Sequence, residues 1–273
     1  MILALELTLF LYAAAVVFYS LAVFWRTRFF QRNSWWVFFT GGTFHLISTI
    51  LRMAESGRWP FLGMFESMSF MALMFVVVYL FTEKRLRSPS IGAFAAPLVF
   101  IALSIAAFYP RDAAPLAPAL KTYWYPIHAS VCFLSYGFFG IAFIASLVYF
   151  IQEWLLKKKL LLGFHRIFPP LETIDTLCYR LIAIGFPMIT IGIITGAVWA
   201  QSAWGAYWNW DPKEIGSLII WICYAVYLHF RFVGGWQGRR TNIILIIGFV
   251  FVLLTFFGVN YLPTGLHKYG VLE

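Results

Sequence analysis

The residues best suited to chemistry in this sequence are five histidines and a tryptophan-rich stretch that ends in charged residues. The stretch reads WGAYWNWDPKE and places Trp204, Trp208 and Trp210 directly before Asp211. Imidazole nitrogens bind transition metals, and indole rings offer a flat apolar surface with one polar N–H. Together these residue types suit a large, flat, apolar ligand with a polar edge and a metal centre.

The tryptophan stretch also has a purely structural interpretation. Tryptophans collect at membrane interfaces, so an anchoring belt explains some of the indoles. Asp211 as N-cap, Pro212 at the first helical position and Glu214 at the third predict a capping box that starts a helix. If the preceding segment is helical, Trp204 and Trp208 are four residues apart and share a face, which forms an aromatic platform. Both interpretations stay open until the surrounding elements are placed.

The composition indicates which elements position these residues. The chain has 273 residues, of which 62% are hydrophobic and only 11% are charged. Apolar runs of about 20 residues recur along it, and such runs cross a hydrocarbon core of about 30 Å. We therefore predict an all-α polytopic membrane protein, a single domain over residues 1–273, with lipid around its helices. The eight expected spans are Ile2–Trp25, Ser34–Met53, Phe61–Phe81, Ser90–Tyr109, Tyr125–Trp154, Leu177–Trp199, Pro212–Phe232 and Thr241–Tyr261.

The formal net charge of +9 does not indicate a nucleic-acid partner here. The basic residues form short clusters between apolar runs, and the connections on one side of the bundle hold most of the 20 lysines and arginines. The positive-inside rule makes that side cytoplasmic. Both termini and the tryptophan stretch are then predicted on the outer side.

Two histidines are expected at the same outer level as the tryptophans. His128 opens the fifth span, and His267 follows the eighth. A single histidine at an interface is more often a hydrogen-bonding residue than a ligand. Two imidazoles that approach from opposite sides, however, are a common way to hold low-spin haem iron. The pair around the tryptophan stretch therefore favours haem ligation.

Two further histidines lie inside predicted spans, where an ionisable side chain is a functional hypothesis by default. His229 lies about 25 Å below Pro212 at 1.5 Å per residue, near the cytoplasmic leaflet. It is either an interfacial residue that reaches the headgroups or a ligand whose partner belongs to another chain. His45 lies close to the middle of the second span. The two differ in depth by about 12 Å, so His45 is the weaker ligand candidate.

Several stretches together resemble a known family. WGAYWNWDPKE is similar to the tryptophan-rich WWD signature of haem-handling proteins, here at about residues 199–214. The chain most resembles the CcsA family, also called ResC, of the system II pathway of cytochrome c maturation. The resemblance extends over most of the chain. It rests also on GRWPFLGMFES, PPLETIDTLCYRLIAIGFPMITIGIITGAVWA, WICYAVYLH and GVNYLPTGLHKYG.

The resemblance implies that the chain carries haem b across the membrane and presents it at the outer face. There an apocytochrome c receives it on a Cys-x-x-Cys-His motif, so the chain would form part of a holocytochrome c synthase. By motif match, His128 and His267 correspond to the outer axial ligands and His229 to the inner membrane histidine. The residues expected to contact the porphyrin are Trp204, Trp208, Trp210 and Asp211. Lys268 departs from the small polar residue that the family pattern leads us to expect after GLH.

The resemblance also implies a partner and a location. The family works with a second membrane protein of the CcsB or ResB type, and no such domain is present in this sequence. The expected membrane is a bacterial cytoplasmic membrane or a thylakoid membrane, with both termini on the periplasmic or lumenal side. Arg52, Arg58 and Lys213 are candidates to pair with haem propionates, and their spacing does not choose among them.

Two other functions stay open at the level of sequence. A system I haem chaperone of the CcmC type belongs to the same superfamily, but eight spans and the GLHKY segment favour CcsA. A haem b electron-transfer subunit belongs to a different class. Such bundles commonly place stacked histidine pairs on the same two helices, and no predicted span here contains two histidines.

Overall fold

The fold was obtained as a computed structural model that describes residues 1–25, 27–86, 88–111, 116–158 and 168–258. The described residues form eight α-helices and one short 3₁₀ turn, and they contain no strand. The helices are α1 (Ile2–Phe24), α2 (Arg28–Ser56), α3 (Gly63–Leu86), α4 (Gly92–Ala106), α5 (Trp124–Lys157), α6 (Leu171–Trp204), α7 (Pro212–Phe232) and α8 (Arg239–Phe257). The 3₁₀ turn, Pro118–Leu120, lies between α4 and α5.

This architecture confirms the predicted all-α membrane protein. Six helices are long and apolar enough to cross a membrane, namely α1, α3, α5, α6, α7 and α8. The other two match predicted spans in position but differ in character. α2 has 29 residues but carries buried polar groups such as His45 and Arg52. α4 has only 15 residues, about 22 Å of helix at 1.5 Å per residue.

The helices form two groups of four that meet where α3 packs against α5. In the first group, α1 contacts α2 and α4, and α3 contacts α2 and α4. In the second, α5 packs along α6, α7 packs on α6 and α8, and α8 returns to α5. Buried apolar side chains from both groups form a continuous core. That residues 1–273 form a single domain remains a prediction.

Consecutive helices run in opposite directions, so the connections lie at two ends of the bundle. At one end, the amino group of Met1 bonds the Glu55 carboxylate at 3.0 Å, and α6 ends at Trp204. We call this the tryptophan end. The other end carries cations at the ends of α3, α5 and α7 and at the start of α8. We call it the basic end, and its residues include Lys84, Arg85, Lys157, Arg231, Arg239 and Arg240.

α5 and α6 approach each other closely because α6 presents glycines to α5. A Cβ atom on Gly192 would lie 2.6 Å from the Cys132 sulfur, and one on Gly196 would lie 2.7 Å from the His128 ring. Glycines spaced four residues apart allow such close helix packing in membranes. This contact fixes His128 against α6 at the tryptophan end.

Candidate functional site

A cavity of about 220 Å³ opens at the tryptophan end. Its walls come from the starts of α3, α5 and α7, the ends of α6 and α8, and the connection between α6 and α7. Apolar and aromatic side chains supply most of its lining. The residues that matter below are Phe61, Met64, His128, Trp199, Trp204, Trp208 and Lys213.

His128 is held so that one of its ring nitrogens is committed and the other is available. Its Nδ1 lies 2.8 Å from the carbonyl oxygen of Gly192. A carbonyl only accepts, so Nδ1 carries the proton and the neutral ring leaves a lone pair on Nε2. Within the described residues, Nε2 has no hydrogen-bond partner. A backbone carbonyl that orients one imidazole nitrogen is the usual second partner of a metal-ligating histidine.

Aromatic rings support the imidazole on one side. Trp199 stacks with His128 at a centroid distance of 5.9 Å and an angle of 24°. The Trp199 indole N–H donates to the carbonyl of Ala119 at 2.9 Å, which ties α6 to the 3₁₀ turn. Trp204 packs against Trp199 at 4.9 Å. The result is a wall of connected rings beside the available nitrogen.

The expected helical arrangement of the tryptophan stretch is wrong. α6 ends at Trp204, because Gly205 adopts a left-handed conformation with φ 77° and closes the helix. Trp204 and Trp208 therefore do not share a helical face. Both indoles nevertheless line the cavity, since the chain turns back over it before α7 begins. Trp210 does not line the cavity, is 67% exposed, and contacts Trp208 edge-on at 5.7 Å.

The predicted capping box at the start of α7 is confirmed. The Asp211 carboxylate accepts from the backbone N–H of Lys213 at 2.9 Å, and the Glu214 carboxylate accepts from Asp211 N–H at 3.1 Å. Glu214 also accepts from the N–H of Asn209 at 2.7 Å. These bonds hold the last residues of the tryptophan stretch in a fixed conformation. Asp211 is buried and acts here as a cap, and its contact with a porphyrin stays a prediction.

The wall on the α3 side is held by a buried charge cluster. Arg52 and Arg58 bond the two oxygens of the Glu66 carboxylate at 2.8 and 2.6 Å. Glu66 also accepts from the backbone N–H of Leu62 at 2.9 Å. Both arginines are thus engaged by Glu66, and neither lines the cavity. Of the three predicted propionate partners, only Lys213 does.

His45 lies in a different environment, fully buried in the first group of helices. Its Nδ1 is 3.0 Å from the Tyr12 hydroxyl, and its Nε2 is 2.9 Å from the Ser69 hydroxyl. Both ring nitrogens therefore have partners inside the bundle. Iron ligation by His45 would require the loss of one of these hydrogen bonds.

His229 lies near the basic end, on the outward face of α7. It is exposed, and exposed apolar residues lie on the same face of the helix, namely Ile215, Ile222, Val226 and Val233. The nearby turn into α8 is fixed by Asp175 of α6, which accepts from Arg231 at 2.6 Å and from Gly238 N–H at 2.9 Å. His229 and His128 are thus at opposite ends of the bundle.

His267, the predicted second outer ligand, lies outside the described residues, as does Lys268. α8 ends at Phe257, and two of its last residues, Thr255 and Phe256, line the cavity. The chain therefore leaves α8 at the tryptophan end.

The described residues fit haem in three respects. The cavity offers an imidazole nitrogen with a free lone pair, aromatic walls for a porphyrin, and one cation for a carboxylate. Sequence reasoning missed the contribution of Gly192 and Gly196 to the contact with His128, and Phe61 as part of the cavity lining. The Gly-x-x-x-Gly spacing in GIITG was the available signal, because it predicts a helix that packs closely on that face.

Fold and site define a polytopic helical membrane protein with an aromatic cavity around one oriented histidine. Comparisons with known proteins identify the family within this class. The sequence profile of the family described as Cytochrome C assembly protein matches residues 61–267. The chain is 40% identical to the cytochrome c biogenesis protein CcsA of Guillardia theta, over 81% of this chain and 80% of that protein. For CcsA of Porphyra purpurea the identity is 33%, over 93% of both chains.

A solved structure provides a comparison of fold. The structure of Cytochrome c Heme Lyase CcmF superposes with a TM-score of 0.73, over 93% of this chain and 46% of that one. At 17% identity this likeness shows the fold alone. The chain belongs to the cytochrome c assembly protein family and, within it, to the CcsA proteins. It is an integral membrane protein of cytochrome c maturation, as the sequence predicted.

Proposed function

We propose that the chain carries haem b across the membrane and presents it in the cavity at the tryptophan end for attachment to apocytochrome c. The acceptor would be the Cys-x-x-Cys-His motif of that cytochrome, and a CcsB- or ResB-type membrane protein would complete the assembly. The tryptophan end would be the outer face. The concentration of cations at the opposite end supports this orientation through the positive-inside rule.

The observation that carries the proposal is the state of His128. Its Nδ1–H is held by the Gly192 carbonyl, so its Nε2 lone pair is available beside a wall of indoles. An imidazole in this state is preorganised as an axial ligand. His267 would supply the opposite ligand from the segment that follows α8. Haem would bring the iron that binds these nitrogens and the vinyl groups that receive the cysteine sulfurs.

The chain's own residues would act mainly by positioning. Trp204 and Trp208 would cover the porphyrin and keep water away, while the capped start of α7 holds their loop. Trp210 would extend the same surface from outside the cavity. Ligation by two histidines would protect the iron until the histidine of the apocytochrome replaces one of them. Bringing vinyl carbons and thiols together in a fixed geometry removes much of the entropic barrier to their reaction.

We call the cavity at the tryptophan end the outer station for haem. A second station, at the basic end, would bind haem first and pass it to the outer one. An ionisable residue on an otherwise apolar, exposed helix face is costly in a membrane unless a partner covers it. His229 is such a residue, which supports contact with a second chain that supplies the other axial ligand. Because His229 and His128 lie at opposite ends, about 25 Å apart along the bundle, they would serve successive stations.

The test compares haem in two alanine variants purified with their partner protein. His229→Ala is expected to lose haem from both stations, because the upper station fills from the lower one. His128→Ala is expected to lose only the outer haem and to keep the spectrum of the membrane-buried haem. Ile222→Ala, on the same exposed face of α7, serves as the control and should retain both. Full outer occupancy in His229→Ala would exclude the two-station path.

A further inference from the structure

Lys213 places a positive charge on one side of the cavity. Among the described residues that line the cavity, Lys213 is the only lysine or arginine. It is the second residue of α7, where the helix dipole adds further positive potential. The lining at the start of α3, at Phe61 and Met64, carries no charge. Glu214 also lines the cavity, but its carboxylate accepts from two backbone N–H groups, so Lys213 is the described cation that an incoming anion meets there.

Among the described residues, the Asp211 carboxylate attracts the Lys213 ammonium through space, and the ammonium forms no direct salt bridge. The capping contact of Asp211 uses the backbone N–H of Lys213, not its side chain. The Glu214 carboxylate accepts from the backbone N–H groups of Asn209 and Asp211. A half-buried cation next to apolar walls is costly when no acceptor is in direct contact with it. The side chain is therefore suited to an anion that enters with the ligand.

The other described cations near the cavity are already engaged. Arg52 and Arg58 bond Glu66 on the far side of the α3 wall. Arg111 donates to the carbonyl of Ala107 at 3.0 Å and lies over the Phe65 ring. Lys121 is exposed after the 3₁₀ turn and does not line the cavity. Among the described cations, only Lys213 both lines the cavity and lacks a direct salt bridge.

We infer that Lys213 binds a carboxylate of the ligand and thereby sets its orientation in the cavity. This inference rests on the proposed function, in which the ligand is haem and the carboxylate is a propionate. Haem carries both propionates toward one edge and its vinyl groups away from it. With the propionate edge at the start of α7, the vinyl groups are turned away from Lys213, toward the uncharged lining. Lys213 is thus a positioning residue that selects which edge the incoming thiols meet.

The experiment measures binding of haem and of haem dimethyl ester, in which both propionates are neutral. The purified protein with its partner, depleted of haem, is titrated with each compound and followed by the Soret band. The wild type should prefer haem over the diester by about tenfold or more, the expected size of a charge-assisted hydrogen bond. Lys213→Gln should lose most of this preference, while Lys213→Arg should keep it.

Lys121→Gln is the matched control, since it removes one cation from the same end without touching the cavity. Comparing ratios between proteins cancels the different solubilities of the two compounds in detergent. Lys213→Gln keeps the backbone N–H that Asp211 caps, so its α7 should form normally, which thermal unfolding will check. An undiminished preference in Lys213→Gln, with His128→Ala still losing the Soret shift, overturns the inference alone. An unchanged Soret shift in His128→Ala overturns the proposed function and the inference with it.

Discussion

His45 and His128 both lie in the helix bundle of a membrane protein, yet their rings are used differently. His45 donates or accepts at both nitrogens, to Tyr12 and Ser69, and it is fully buried. His128 uses only Nδ1, toward Gly192, and turns its other nitrogen to a cavity. A saturated histidine fixes neighbouring helices, whereas a half-saturated and oriented one can bind a ligand. The number of occupied ring nitrogens, more than depth in the membrane, distinguishes the two histidines and supports the ligand role proposed for His128.

The largest expected effect is on His128 itself. His128→Ala should lower retention of the outer haem more than about 100-fold, because even second-shell losses cost metal sites about 10–100-fold. Cytochrome c maturation should fall to background while membrane insertion is unchanged. Haem-to-protein ratios and holocytochrome yield are the measurements. A normal holocytochrome yield in His128→Ala would show that His128 is not a required ligand. His128 and His45 would then not differ in function.

The next effect tests whether the orientation of His128 matters. In Gly196→Ala the new methyl group would lie 2.7 Å from the imidazole ring, so the ring must move away from Gly192. We expect haem retention to fall about 10–100-fold, as for other losses of ligand orientation. Gly258→Ala is the control, because a Cβ at Gly258 meets nothing within 4 Å. Equal haem retention in both variants would contradict the close contact between α5 and α6.

A smaller effect is expected at His45, whose ring is held by hydrogen bonds at both nitrogens. Tyr12→Phe removes the hydroxyl at Nδ1 and leaves a buried nitrogen without its partner. Unfolding in detergent should cost about 1–3 kcal/mol less, while the haem spectrum stays as in the wild type. Tyr123→Phe, at a residue that is 91% exposed, should leave both unchanged. A lost haem signal in Tyr12→Phe would indicate that His45 takes part in haem binding and does not only support the fold.

The smallest expected effect is a difference in haem affinity between substitutions of two tryptophans in one loop. Trp208 lines the cavity, whereas Trp210 is 67% exposed and touches only the edge of Trp208 among the rings described. Trp208→Leu should weaken haem binding by about 2–10-fold, the range of a lost aromatic contact. Trp210→Leu should weaken it less. Equal effects, measured by haem titration, would favour the anchoring-belt interpretation for both residues.

Much of the fold could be predicted because each helix needs a long apolar run. The span predicted at Pro212–Phe232 matches α7, since the Asp-Pro-x-Glu cap fixes its start. The predicted sixth span, Leu177–Trp199, is shorter than α6, Leu171–Trp204. Hydropathy does not register the polar first turn of that helix or its extension to Trp204. Helix ends depend on capping and tertiary contacts that apolar periodicity does not encode.

The site was less predictable than the fold. Sequence position could bring His128 near the tryptophans, but only the packing shows that Nδ1 is engaged by Gly192. Similarly, spacing treated Arg52, Arg58 and Lys213 as equivalent propionate partners. The pairing of both arginines with Glu66 depends on how α2 meets α3. Among the described residues, Lys213 is then the cation that lines the cavity.

In the proposed site, the Nε2 atom of His128 binds haem iron at the tryptophan end. Its most direct test is an imidazole titration of His128→Gly, purified with its partner, followed by absorption and electron paramagnetic resonance. The glycine leaves a gap that free imidazole can fill. If His128 binds the iron, outer haem is lost in the variant and a low-spin signal returns saturably with imidazole. A wild-type haem content and spectrum in His128→Gly before any imidazole is added would contradict it.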